Sequence, residues 1–151
     1  MGFDMIEASD NVVEPDAGTL NRGLAMVRDL GLSPVEEIGE RRDNADHEAM
    51  LAKVNGVLAG RADLAMIEGQ ELMDSGIRDE ALILKDNCYT SWCVFEQANP
   101  RVGTMTVQIY AGKTGLTKAV GADVHIGNLT TYTAIETEKA RLGLGLAGRL
   151  S

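Results

Sequence analysis

Four glutamates recur at nearly regular intervals in this sequence, each at the end of a short, mostly apolar run: Glu7, Glu37, Glu68 and Glu96, with Asn128 one interval later. Oxygen ligands of this kind suit Mg²⁺, which takes one or two carboxylates and completes its shell with water and substrate phosphate. Carboxylates that converged without a cation would raise one another's pKa. The pattern predicts a cation site if the fold gathers these residues, whereas each glutamate alone can equally mark where a strand reaches water.

The interval between these residues is about 30 positions, which is the length of one β-strand, one α-helix and two loops. The apolar runs predict strands at residues 3–7, 34–38, 64–68, 92–96 and 124–128. Strands that are parallel and covered by helices read as nearly continuous apolar runs, as these do. Since ligands of parallel α/β folds bind at the carboxyl ends of the strands, the glutamates fall where a site is expected.

Helical periodicity fills the intervals between the predicted strands. Pro15 and its neighbouring acids open a helix that Gly31 stops, and Gly60 is the expected end of a second helix. The segment 101–121 could be helix or strand, although its Gly121 stop favours a helix. The second helix covers residues 47–58, and the other predicted helices cover residues 79–84 and 132–142. The order of elements therefore predicts an α/β fold of five parallel βα units, in one domain spanning residues 1–151.

Length and charge restrict the class of protein. The chain has 151 residues, too few for a complete eight-stranded α/β barrel, which needs about 200–250. Its net charge of -9 repels phosphate backbones and anionic lipids, so we expect neither nucleic acid nor a membrane surface as partner. No apolar run reaches the roughly 18–20 residues of a spanning helix, and the first ten residues resemble no signal peptide. Two cysteines are too few for a disulfide scaffold, so we expect a cytoplasmic protein.

Six strings of residues, in order along nearly the whole chain, resemble segments of phosphosulfolactate synthase. Gly2–Asp10 is similar to that family's G-F-x-x-I-E-x-S-D, and Glu37–Gly39 matches the start of its E-V-G-K-K. Asp123–Leu129 is similar to N-V-N-L-G-N-I. The remaining strings are residues 59–76, which resemble A-G-A-D-x-V-I-x-E-G-R-E-S-G with an insertion, Phe95–Glu96, and residues 135–143.

The resemblance implies a partial TIM-type barrel in which this chain supplies roughly the fourth to the eighth βα units. It also implies Mg²⁺-dependent addition of sulfite to phosphoenolpyruvate, which forms phosphosulfolactate in an early step toward coenzyme M. Such a reaction, a carbon–sulfur lyase or synthase chemistry, needs a cation to hold the substrate's anionic groups and a positioned acid to deliver a proton to carbon. The family also has bacterial and plant relatives linked to heat tolerance.

The resemblance assigns site residues by position. Glu37, Glu68 and Glu96 are expected to hold the metal ion or its waters, and Arg41 and Glu68 are the expected catalytic residues. The residues expected to contact the substrate or its phosphate are Gln70, Gly127, Asn128, Arg141, Gly145 and Gly148. Backbone N–H groups of the glycines would approach the phosphate.

Three departures from the family pattern support a second hypothesis. The family's two lysines after E-V-G fall on Glu40 and Arg41, and its arginine in E-G-R-E falls on Gln70. Each change alters the cations of a site meant for anions, and arginine is a poor proton donor compared with lysine. The alternative is a non-catalytic barrel relative that acts as a binding, stress-tolerance or assembly module. Because an open parallel sheet leaves two edges unpaired, we expect a homo-oligomer in either case.

Overall fold

A computed structural model of the chain describes residues 2–9, 15–39, 47–68, 78–97 and 114–144. Strands and helices alternate through these residues. Their bounds are β1 (Met5–Ala8), α1 (Ala17–Asp29), β2 (Ser33–Ile38), α2 (His47–Leu58), β3 (Leu64–Ile67), α3 (Arg78–Asp86), a 3-10 turn (Thr90–Trp92), β4 (Cys93–Glu96), α4 (114–120), β5 (His125–Gly127) and α5 (Thr131–Arg141). All five predicted strands are present, and residues 114–120 form the predicted helix that ends before Gly121. The rest of the segment that could be helix or strand, residues 101–113, lies outside the described residues.

The described strands form one parallel sheet in chain order, β1-β2-β3-β4-β5. Each strand therefore lies beside the next one along the chain, and every crossover steps in the same direction. Right-handed crossovers that all step one way place their helices on one face of the sheet. A doubly wound sheet would instead reverse direction partway. The predicted α/β fold of five parallel βα units is confirmed, and its strand order is that of a barrel segment.

The apolar core lies between the sheet and these helices. Ile67, Cys93 and Phe95 are completely buried on the helix-facing side of β3 and β4. Burial raises the pKa of the Cys93 thiol to about 12, so this cysteine stays protonated and packs as a small apolar group. The helices and loops contribute Leu24, Met50, Val54, Val57, Ala62, Ala81, Leu84, Leu116 and Val124.

Local capping interactions fix where the helices begin and end. The Asp16 carboxylate accepts hydrogen bonds from the Thr19 backbone N–H at 2.9 Å and the Thr19 hydroxyl at 2.7 Å. These bonds lower the pKa of Asp16 and stabilise the start of α1. Gly31, at φ 76°, ends that helix as predicted. The longest described helix, α1, has 13 residues, and none of the described helices could cross a membrane.

Glu36 makes a buried ion pair on the helix-facing side of β2. Arg61 donates from Nε to Glu36 Oε2 at 2.6 Å and from Nη2 to Oε1 at 2.5 Å. The same guanidinium donates to the Lys53 carbonyl of α2 at 3.2 Å. Gly56 makes room for it, since a Cβ at that position would lie 2.7 Å from the guanidinium. Glu36 is 3% exposed, so the pair ties β2 to α2.

Replacement of Arg61 by methionine should destabilise the protein by about 3 kcal/mol, because loss of one partner leaves a buried carboxylate without its counter-ion. Arg28→Met is the matched control. Arg28 pairs with Asp63 at 3.0 Å, but both side chains are about two-fifths exposed. Exposed pairs of this kind contribute roughly 0–1 kcal/mol. Urea unfolding of both variants measures the difference, and equal losses would show that the Glu36 pair is not special.

Candidate metal centre

Three glutamates meet at the carboxyl-terminal edge of the sheet. One carboxylate oxygen from each of Glu37, Glu68 and Glu96 lies within 4.8 Å of the others. Glu37 and Glu68 are each 6% exposed, and Glu96 is partly buried. These are the glutamates that the resemblance assigned to a metal ion, and within the described residues they form a cluster that could hold one.

The strand register explains why these side chains share one face. Successive residues of a strand point to opposite faces, and Glu37 pairs with Met66, two residues before Glu68. Ile67 pairs with Phe95, so Glu68 and Glu96 follow side by side. Because Ile67 and Phe95 point into the core under the helices, the glutamates point to the opposite face of the sheet.

Glu7 is a fourth carboxylate at this edge. Its pairing with Val35 places it on the same face of the sheet as Glu37. The pKa of Glu7 is raised above its ordinary value. Desolvation is the larger cause, and the negative charge of Glu37 is the second. Glu7 remains more exposed than Glu37 and is not one of the three clustered side chains. It therefore flanks the cluster and is electrostatically coupled to it.

Asn128 contacts the cluster through Glu96. Its side-chain amide donates to Glu96 Oε1 at 2.7 Å and to the Gln97 carbonyl at 3.3 Å. The backbone of Asn128 is left-handed, with φ 56°, and this turn directs the side chain back toward β4. The expected contact between Asn128 and a substrate stays a prediction, and the contact within the protein is with a carboxylate of the cluster.

Gly127 lies opposite Glu96 in the pairing of β4 with β5. A Cβ on Gly127 would lie 3.0 Å from Val94 Cγ1 and 3.2 Å from Met66 Cε and Sδ. Those separations are tighter than ordinary van der Waals contact, so glycine lets Met66 reach across Val94 beside the cluster. This packing is one reason for a glycine here, and its expected backbone contact with phosphate stays a prediction.

Arg141 is the one other expected site residue in the described part of the chain, and it lies away from the cluster. Arg141 lies in the last turn of α5, where its guanidinium donates to Glu138 Oε1 at 3.1 Å. A helix of 11 residues is about 16 Å long, and Arg141 is at the end away from β5. The remaining expected residues, Arg41, Gln70, Gly145 and Gly148, lie outside the described residues.

The donor set determines which ions suit the cluster. Three carboxylates offer hard oxygen ligands, which favour Mg²⁺, Ca²⁺ or Mn²⁺ over zinc, since zinc prefers sulfur and nitrogen. The three ligand oxygens lie within 4.8 Å of one another, close enough for one divalent cation to contact all of them. The cluster therefore fits a hard divalent cation.

Neither a protein-family model nor a curated protein matches this chain. The resemblance to phosphosulfolactate synthase accordingly stays a prediction that rests on the quoted strings. The function proposed below therefore depends on the geometry of the cluster.

The raised pKa of Glu7 predicts a pH-dependent cost to folding in the absence of metal. The folded protein disfavours ionised Glu7, so the free energy of unfolding of the wild type should fall relative to Glu7→Gln as pH rises. The fall begins near the ordinary pKa of 4.5 and is complete above the raised pKa, where the difference becomes constant. Urea unfolding in a chelator, from about pH 4 to pH 8, measures it.

Glu37→Gln separates the two causes of this shift. That variant removes the charge of Glu37 but leaves the burial of Glu7. The free energy of unfolding of Glu37→Gln should therefore still fall with pH relative to Glu7→Gln/Glu37→Gln, but by less than that of the wild type falls relative to Glu7→Gln. A difference between wild type and Glu7→Gln that does not change with pH would contradict the assignment.

Proposed function

We propose that this protein is a Mg²⁺-dependent enzyme of the phosphosulfolactate synthase type, which adds sulfite to phosphoenolpyruvate in the cytoplasm. The observation that carries the proposal is the convergence of Glu37, Glu68 and Glu96 within 4.8 Å at the carboxyl ends of parallel strands. Ligands of α/β folds bind at this edge. The two cysteines are free thiols, which agrees with a reducing compartment.

The charges of the chain support a cation between protein and substrate. The protein carries a net charge of -9, and its cluster adds carboxylates at the expected binding edge. A substrate with phosphate and carboxylate groups would be repelled by such an edge. A bound divalent cation would hold these groups and stabilise negative charge that develops on the substrate. An anionic substrate and an acidic site are therefore compatible when a cation joins them.

The roles of the described residues follow from their burial. Glu37 and Glu68 are the most buried members of the cluster and would hold the cation directly or through its waters. Glu68 is the member of this set to which the resemblance also assigns a catalytic role. Glu96 is less buried and would complete the set from β4. Arg41, outside the described residues, would face the anionic substrate.

The proposed reaction is an addition in which nothing leaves. The sulfur of sulfite forms a bond to the methylene carbon of phosphoenolpyruvate, and one proton is added to the neighbouring carbon. The carbon–carbon double bond is consumed and the phosphate ester stays intact. The protein must therefore hold two anions close together and supply one proton.

A binding or assembly module is the second candidate function. Glu40 and Gln70 stand where the family has cations, which favours a protein that keeps the fold without the reaction. Self-association is proposed for both candidates, because β1 and β5 are the outer strands of the described sheet. Met5 and Ile6 of β1 are 49% and 39% exposed. Apolar side chains on this outer strand are therefore accessible to a second copy of the chain.

Metal binding is the first test. Mg²⁺ at 100 times its dissociation constant should stabilise the wild type by about 2.7 kcal/mol, and Glu68→Gln should abolish most of this gain. Glu138→Gln, an exposed change on α5, is the matched control and should keep the full metal response. Thermal unfolding with and without Mg²⁺ measures all three proteins, and no response of the wild type at millimolar Mg²⁺ would overturn the proposal.

Turnover separates the two candidate functions. With Mg²⁺, phosphoenolpyruvate and sulfite, the enzyme hypothesis expects phosphosulfolactate to form, which phosphorus NMR detects directly. Loss of the product in Glu68→Gln, but not in Glu138→Gln, would connect the reaction to the cluster. A wild type that binds Mg²⁺ and forms no product would favour the binding module.

A further inference from the structure

Asn128 occupies a backbone conformation that few residues adopt. Its φ of 56° lies in the left-handed region, where asparagine is more common than other non-glycine residues and glycine carries no steric cost. The turn follows β5 directly, and Gly127 of that strand pairs with Glu96. The position therefore sets the Asn128 side chain beside the end of β4.

The Asn128 amide has two acceptors on β4 and its extension. It donates to Glu96 Oε1 at 2.7 Å and to the Gln97 carbonyl at 3.3 Å. The backbone carbonyl fixes the plane of the amide, and the amide in turn restricts rotation of the Glu96 carboxylate. A second fixing interaction comes from the sheet, where the Gln97 N–H donates to the Gly127 carbonyl at 3.2 Å.

The neutrality of this donor is important for a cation site. A lysine or arginine at the same place would orient Glu96 and also cancel its charge. The amide orients the carboxylate and leaves its negative charge in place. Glu96 is also the least buried member of the cluster, so burial restricts its side chain less than those of Glu37 and Glu68.

We propose that Asn128 is a positioning residue, which holds the Glu96 carboxylate in the orientation that meets Glu37 and Glu68. This inference rests on the proposed metal centre and gives Asn128 a function that acts through Glu96, in addition to the substrate contact that the resemblance implies. Hydrogen-bonded groups behind metal ligands typically account for about 10–100-fold in metal affinity. Asn128 is assigned the function of orienting Glu96, the proposed metal ligand on β4.

The test compares Asn128→Gly with Asn87→Gly. Glycine accepts the left-handed φ at position 128, so the first variant removes the amide without straining the turn. Asn87 also donates its amide to a carbonyl, that of Ile83 at 2.8 Å, at the end of α3 and outside the cluster. Calorimetric titration with Mn²⁺ should show about 10–100-fold weaker binding for Asn128→Gly and unchanged binding for Asn87→Gly. The unfolding temperatures of the two variants in a chelator should differ little from each other.

Equal Mn²⁺ affinity of Asn128→Gly and the wild type would overturn the positioning function. If the wild type binds no Mn²⁺, the metal centre itself is wrong, and NMR of the metal-free protein then decides whether Asn128 holds Glu96. The side-chain amide signals of Asn128 should shift when Glu96→Gln removes the charged acceptor, and they should not shift in Glu138→Gln. Signals that are unchanged in Glu96→Gln would overturn the contact.

Discussion

Strand register decides which carboxylates this protein brings together. β2 carries Glu36 and Glu37 in succession, and the two side chains point to opposite faces of the sheet. Glu36 reaches Arg61 under the helices, and Glu37 reaches the cluster. A shift of one residue in the pairing would exchange them. The register is held because Ile38, Ile67 and Phe95 fill the core on the helix-facing side, so apolar packing on one face positions the polar site on the other.

The two faces treat buried carboxylates in different ways. Glu36 receives two hydrogen bonds from a single guanidinium, which satisfies its charge within the protein. The cluster brings one carboxylate oxygen from each of three glutamates within 4.8 Å of the others, at the edge of the sheet where α/β folds bind ligands. A guanidinium serves one carboxylate, whereas a divalent cation at this edge could contact all three.

The sequence predicted the fold and the cluster through the same feature, a period of one βα unit with an acid at the end of four of the five strands. Periodicity and glycine stops placed α1 and α2 because those signals are local. The contacts of Glu36 and Asn128 were not predictable in this way. The first requires Arg61 to lie over Gly56 on α2, and the second requires a left-handed turn after β5. Both depend on how elements pack, which residue types and spacing do not specify.

Anomalous diffraction from crystals of the wild-type protein soaked in Mn²⁺ would locate the ion without reference to activity. The proposed metal centre requires one anomalous peak bounded by the carboxylates of Glu37, Glu68 and Glu96, with the Asn128 amide still hydrogen-bonded to Glu96. Crystals that show no peak at this edge of the sheet, or a peak only at other carboxylates, would contradict it.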